Sequence, residues 1–121
     1  MQVTTPTSEA LGRYLSLTTA QLKLTASNMA NVDTPGYTTQ GFNFSQEFAK
    51  QLQATPDGSG RLEVAPQSID GLVARPDGNN VSMDREGLQL AQAQMQFRLG
   101  VLLLKGEFST VATAIHSSDG K

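Results

Sequence analysis

The histidine and acidic side chains are the residues of this chain whose types could support catalysis or hold a metal ion. His116 is the single histidine, and it lies just beyond the last apolar position near the C-terminus. Cysteine is absent, so thiolate catalysis and cysteine-based zinc sites are excluded, and a serine triad would depend on this one terminal histidine. We therefore predict no catalytic role for His116.

The densest group of carboxylates is Asp77, Asp84 and Glu86, in the run DGNNVSMDRE. Asp77 and Asn79 fit positions one and three of a calcium-binding loop, but position five is a valine and position twelve a leucine. A turn followed by a helix cap explains these residues better. No glycine-rich phosphate-binding pattern occurs either. We predict that the chain is not an enzyme and needs no metal or cofactor.

Composition limits the class of protein further. Hydrophobic residues make up 38% of the 121 residues, aromatic residues 6%, and tryptophan is absent. These values fall below the roughly 45–50% apolar content of ordinary domains, so we expect one domain over 1–121 that becomes fully ordered beside partners. The formal charge is −2, and the nine basic residues are scattered singly, which argues against nucleic acid.

The N-terminus has no basic region followed by an apolar stretch, so no cleaved secretory signal is predicted. The most apolar run, 99–104, is far shorter than the roughly 20 residues that span a bilayer. We expect no direct membrane insertion.

An amphipathic helix is predicted over about 8–32, with Ser8 or Thr7 as its N-cap. Its main apolar stripe contains Leu11, Leu15, Leu22 and Met29. Pro35 disfavours helical backbone at the residue before it, and Gly36 permits a positive φ, so a type II turn is predicted over 34–37.

A second helix is predicted over about 84–116, beginning after Ser82 or Asp84. Apolar residues alternate in steps of three and four, which is typical of a coiled-coil seam. The seam positions are Leu90, Gln94, Phe97, Val101, Leu104, Phe108, Val111 and Ile115, all of them apolar except Gln94. A second row contains Leu88, Ala91, Met95, Leu99 and Leu102. Gly100 and Gly106 each cost about 1 kcal/mol relative to Ala, which is tolerable where a neighbouring helix approaches closely.

The middle, 33–83, is predicted to be irregular, with at most short β segments at 42–44 and 61–64 and turns at 55–60 and 75–80. The predicted fold class is therefore mainly α, with the terminal helices packed as an antiparallel hairpin or coiled coil.

The end of the first helix carries a ten-residue pattern, Asn-x-Ala-Asn-x-x-Thr-Pro-Gly-Tyr. Its fixed positions are Asn28, Ala30, Asn31, Thr34, Pro35, Gly36 and Tyr37. This pattern, placed at the end of an N-terminal amphipathic helix, resembles the signature of the flagellar axial proteins of bacteria.

Two features narrow the resemblance within that family. The chain is short, and the run at 77–81 followed by Met83, Asp84 and Glu86 resembles the approach to the C-terminal helix in basal-body rod proteins of the B type. The resemblance covers 8–44 and 77–115, with Phe97 standing where a tyrosine is expected.

The resemblance implies a structural subunit of the proximal rod, exported unfolded through the flagellar type III apparatus without signal cleavage. It implies a place in the periplasmic rod of the basal body, beside the export gate, with other rod subunits as partners and self-association as a further possibility. These subunits form the start of a hollow drive shaft.

We hypothesise that the signature turns the chain sharply, and that its exposed amides, with Phe42 and Phe44, latch onto adjacent helices. The alternative is a helical adaptor or chaperone that binds a secreted partner through the same apolar stripes. The adaptor explains the amphipathic helices but leaves the signature unexplained.

Overall fold

The computed structural model of the chain describes residues 5–53 and 63–119. The elements along the chain are α1 (Pro6–Ala30), β1 (Gln40–Gly41), α2 (Phe44–Gln53), β2 (Gln67–Ser68) and α3 (Met83–Asp119). The mainly α class is thereby confirmed. None of the helices in the described part of the chain is long and apolar enough to cross a membrane.

Helices α1 and α3 pack antiparallel. Thr5, at the start of α1, donates a hydrogen bond to Glu107 (2.7 Å), and Asn28, near the end of α1, donates to Glu86 near the start of α3 (3.2 Å). At 1.5 Å per residue, α3 is about 55 Å long and α1 about 37 Å. Residues 108–119 therefore extend past the start of α1.

The N-cap of α1 is Thr5, so the predicted cap at Ser8 or Thr7 is wrong. Pro6 occupies the first helical position, where its fixed φ suits the helix and its missing N–H costs nothing. The Thr5 hydroxyl accepts from the Ser8 backbone N–H (3.0 Å), and the Ser8 hydroxyl accepts from the Thr5 N–H (2.8 Å). Ser8 thus completes the cap from the third helical position.

The local signals at the other helix ends are confirmed. Helix α1 stops at Ala30, and a turn closes through the Tyr37 N–H to the Thr34 carbonyl (3.2 Å), with Gly36 at φ +75°. Helix α3 begins after Ser82, whose hydroxyl accepts from the Arg85 N–H (3.3 Å).

The middle of the chain is less irregular than predicted, because α2 is a helix. Asn43 caps it by accepting from the Gln46 N–H (3.1 Å), so Phe44 lies in a helix and the extended segment predicted at 42–44 is wrong at that residue. The short β pairing is instead antiparallel and joins Gln40 to Ser68 and Gly41 to Gln67. The turn predicted at 55–60 and half of the segment at 61–64 lie outside the described residues.

The contact between α1 and α3 is lined mainly by small and polar residues. On α3 they recur every seven positions, at Glu86, Ala93, Gly100 and Glu107. Leu17 and Ala93, each 1% exposed, are the only fully buried apolar side chains among the described residues.

The predicted seam residues lie to one side of this contact line. The stripe residues of α1 are half-buried, and so are four seam residues of α3: Leu90, Val101, Leu104 and Val111. Phe97, Phe108 and Ile115 are 39–49% exposed.

Candidate functional site

The Asn28 side chain is the centre of a buried polar network between α1, β1 and α3. Its amide donates to the Gln40 carbonyl (2.9 Å) and to the Glu86 carboxylate (3.2 Å). Its oxygen accepts from the Tyr37 hydroxyl (2.9 Å) and the Gln40 backbone N–H (3.0 Å). Asn28 and Glu86 are each 1% exposed, so one buried amide pairs with four polar groups, among them a buried carboxylate.

A second asparagine fastens the turn after α1 to the loop before α3. The Asn79 amide donates to the carbonyls of Asn31 (2.9 Å) and Thr34 (2.8 Å). Its oxygen accepts from the Val81 N–H (2.8 Å), and its own N–H donates to the Asp77 carboxylate (3.0 Å). Each of these carbonyls also accepts a backbone N–H within the turn, from Thr34 and Tyr37 respectively, so Asn79 adds a second hydrogen bond to each.

Two glycines with positive φ, Gly36 and Gly78, lie where these loops meet. The Gly36 N–H donates to the Asp77 carbonyl (2.9 Å), and Gly78 takes φ +88°. A Cβ on Gly78 would lie 3.4 Å from the Gly36 Cα. The Arg75 guanidinium donates to the Val32 carbonyl at the rim.

Asn80 completes the contact. Its side-chain oxygen accepts from the Thr39 N–H (2.7 Å) and hydroxyl (2.9 Å), and its N–H donates to the Tyr37 carbonyl (3.3 Å). We call the contact of 28–40 with 75–86 the polar junction.

The burial of Asn28 contradicts one part of the latch hypothesis, the exposure of this amide, while a contact of the signature with adjacent helices stays a prediction. Asn28 is buried and fully paired within its own chain, so it is not an exposed amide available to a neighbour. Asn31, Thr34, Gly36 and Tyr37 also form hydrogen bonds in the junction, although Thr34 and Gly36 are exposed, as are Ala30 and Pro35 at its edge. The sequence analysis singled out both 28–37 and 77–86, but it did not predict that the two segments contact each other. The asparagines that occur in both segments were the sequence feature that could have indicated this contact.

Four aromatic rings pack α2 against α1. The Tyr14 ring meets Phe44 edge-on (5.3 Å between centroids) and Phe48 likewise (5.8 Å). Phe44 stacks on Phe42 (6.4 Å) and on Phe48 (6.2 Å). Phe42 and Phe44 therefore contact their own chain. Burial in this aromatic cluster raises the pKa of Tyr14 above its ordinary value of 10.0.

The side of α3 that points away from α1 carries an exposed apolar row, which we call the outer row. Leu88, Met95, Leu99 and Leu102 are 68%, 71%, 52% and 66% exposed. Their spacing places them on one side of the helix, opposite Ala93 and Gly100. Exposed apolar side chains grouped on one side of a helix are typical of interaction surfaces.

His116 is exposed near the end of α3. Within 5–53 and 63–119, no three His, Cys, Asp or Glu side chains are grouped to hold a metal ion.

The described fold is an antiparallel helix pair that is held at one end by the polar junction and carries the outer row on its exposed side, an arrangement typical of structural subunits. The family model described as "Flagella basal body rod protein" matches residues 15–38, which contain the signature.

Similarity to curated proteins extends over most of the chain. It is 26% identical to the flagellar basal body rod protein FlgB of Escherichia coli K12, over 87% of this chain and 89% of that protein. FlgB of Bacillus subtilis is 26% identical over 95% of this chain and 97% of its own length. FlgB of Salmonella typhimurium is 25% identical over 87% and 89%. The chain is thus similar over most of its length to flagellar basal body rod proteins, and this similarity supports a structural component of the rod.

Proposed function

We propose that this rod component assembles at the proximal end of the rod, where its outer row packs against helices of neighbouring axial subunits to begin a hollow shaft. The outer row carries the proposal. Its four side chains are at least half exposed in the single chain, although leucine and methionine are ordinarily buried.

The energetics favour such packing. Each leucine or methionine side chain that passes from water to a packed interface contributes about 1.5–3 kcal/mol. Contacts between different faces of identical or similar subunits build open helical assemblies wherever the rotation between subunits does not close a ring. A shaft is such an assembly.

The part of α3 beyond α1 adds a second contact surface. Phe108, Val111 and Ile115 belong to residues 108–119, which extend past the start of α1. In the assembled rod this end of the helix lies against the next subunit, and the predicted seam residues Leu90, Phe97, Val101 and Leu104 border the same side. The signature residues act indirectly, by fixing the angle at which α1 and α3 leave the polar junction.

The proposed route to this location is export from the cytoplasm through the flagellar type III apparatus, without a cleaved signal peptide. The thin apolar core supports it, since Leu17 and Ala93 are the only fully buried apolar side chains in the described part of the chain. A chain with so little buried apolar surface unfolds at low cost and regains order beside its partners, among them other rod subunits and the base of the export gate.

The adaptor or chaperone alternative is not favoured, because the relatives that match most of the chain are rod proteins. An adaptor would be a well-folded dimer in solution, whereas a rod subunit is expected to be monomeric before assembly.

The test is deletion of the gene in the source organism, with electron microscopy of basal bodies and a complemented strain beside it. Loss of every structure beyond the inner-membrane ring, restored by complementation, is the expected result. Normal hooks and filaments in the deletion strain would overturn the proposal.

A further inference from the structure

A cleft of about 310 Å³ lies between α1, the start of α2 and α3. Five amide side chains line it: Gln21, Asn43, Gln89, Gln92 and Gln96. Two rings of the aromatic cluster form part of one wall, and no charged residue contributes. The cleft therefore suits an uncharged ligand that both donates and accepts hydrogen bonds.

Three of these amides have no hydrogen-bond partner among the described residues: Gln89, Gln92 and Gln96. They lie on α3 at positions i, i+3 and i+7, a distance of about 10 Å along the helix. Three residues of extended chain at about 3.3 Å each have the same length. The row of amides thus has the length of about three residues of extended backbone.

The polar junction shows how this chain uses an amide to hold extended backbone. Asn28 accepts from the N–H of Gln40 and donates to the carbonyl of the same residue. A glutamine in the cleft has the same donor and acceptor available.

The segment 71–74, Gly-Leu-Val-Ala, has the complementary chemistry. It carries no charge, belongs to neither helix nor strand, and its backbone forms no hydrogen bond with the described residues. Val73 is 91% exposed, the most exposed of the large apolar side chains in the described ranges. The segment does not line the cleft of its own chain.

We infer that segment 71–74 of one copy lies in the amide-lined cleft of a second copy. Its backbone pairs with Gln89, Gln92 and Gln96, and Val73 contacts the phenylalanine rings of the wall. Because one surface meets a different surface, the contact repeats head to tail from one copy to the next. The inference rests on the proposed rod function and assigns one of its subunit contacts.

The absence of cysteine allows a direct test by disulfide cross-linking. Val73→Cys and Gln92→Cys replace exposed side chains, so both variants keep the fold. The two are combined in one chain, placed in the deletion strain, and basal bodies are isolated and oxidised. The matched control combines Val73→Cys with Ser16→Cys, an exposed position on α1 outside the cleft.

The expected result is a ladder of cross-linked multimers on a non-reducing gel for the first pair, several-fold stronger than for the control pair. Equal multimer yields for the two pairs, or a product that stays at monomer mobility, would overturn the contact. Restoration of flagella by the variants is scored in the same cells. Rods without the cross-link refute only this contact, whereas flagella in the uncomplemented strain refute the rod function itself.

Discussion

At the scale of single residues, Asn28 is the position where the chemistry of the side chain matters most. It donates two hydrogen bonds and accepts two, and its partners are a backbone amide group, a phenol and a buried carboxylate. Only an amide supplies both functions at this size. A carboxylate in its place would accept but not donate.

We predict that Asn28→Asp lowers the free energy of unfolding by about 3 kcal/mol near neutral pH, because it places a second buried carboxylate beside Glu86 and removes two donors. The new carboxyl is destabilised in its charged form, so its pKa rises on folding. The loss of stability is therefore largest above the pKa of the new carboxyl in the folded chain, and it becomes smaller as the pH falls. Urea unfolding followed by circular dichroism at neutral and mildly acidic pH measures it.

Asn43→Asp is the matched control. Asn43 is exposed and caps α2, where aspartate accepts the same hydrogen bond equally well. A change in stability of equal size in both variants would contradict the role of Asn28.

Tyr14 provides a second residue-scale prediction. Its pKa lies above 10.0 because burial in the aromatic cluster disfavours the phenolate. In a Tyr37→Phe background Tyr14 is the only tyrosine. Its titration, followed by tyrosinate absorbance, is expected above 10.0 and should move back toward that value in Phe48→Ala.

The raised pKa of Tyr14 also determines how stability depends on pH. A pKa raised by folding stabilises the packing of α2 on α1 below the unfolded pKa, and this contribution is lost as the pH rises through the folded pKa. Tyr14 titrations that coincide with and without Phe48 would show that α2 does not cover this ring.

At the scale of elements, the two glycines within α3 have different surroundings. A Cβ at Gly100 would lie 2.7 Å from Leu15 Cδ2 and 3.1 Å from Tyr14 Cδ1. A Cβ at Gly106 would meet nothing within 4 Å. The expected close approach of a neighbouring helix is therefore present at Gly100, and no described residue provides it at Gly106.

We predict that Gly106→Ala raises the free energy of unfolding by about 1 kcal/mol, the usual helix preference of alanine over glycine. Gly100→Ala gains the same preference but crowds α1, so it should be less stable than Gly106→Ala by about 1–3 kcal/mol. Thermal and urea unfolding of the pair measures the difference. Equal gains at both positions would mean that α1 does not press on α3 at Gly100.

At the scale of the whole molecule, the inner and outer sides of α3 serve different purposes. The side toward α1 is lined by Glu86, Ala93, Gly100 and Glu107, and its contacts hold the two helices together. The outer row is uncovered in the single chain and is available to neighbours. Stability and assembly should therefore respond to different substitutions.

We predict that Leu99→Asp changes the stability of the isolated chain by no more than about 0.5 kcal/mol, as expected for an exposed position. In cells it should abolish rod assembly, measured as swimming and as hooks counted by electron microscopy. Ser16→Asp adds the same charge at an exposed position of α1 and should leave motility intact. A motile Leu99→Asp strain would remove the outer row from the assembly contacts.

The sequence predicted the elements whose causes are local. The turn at Pro35 and Gly36, the start of α3 after Ser82 and the two long helices depend on residues a few positions apart, and all were confirmed. Helix α2 was not predicted, because it is only ten residues long and its aromatic side chains pack on Tyr14 of another helix.

The sequence by itself determined the helix periods, the turn chemistry and the signature of the rod proteins, since each is a property of neighbouring residues. Only the tertiary structure decided which side of α3 meets α1. The contact line consists of glycine, alanine and glutamate, and a search for apolar periodicity does not detect these residues. The tertiary structure also decided that Asn28 binds Glu86, 58 residues away. Such a pair forms only when the two helices are already antiparallel, and no local pattern encodes that partner.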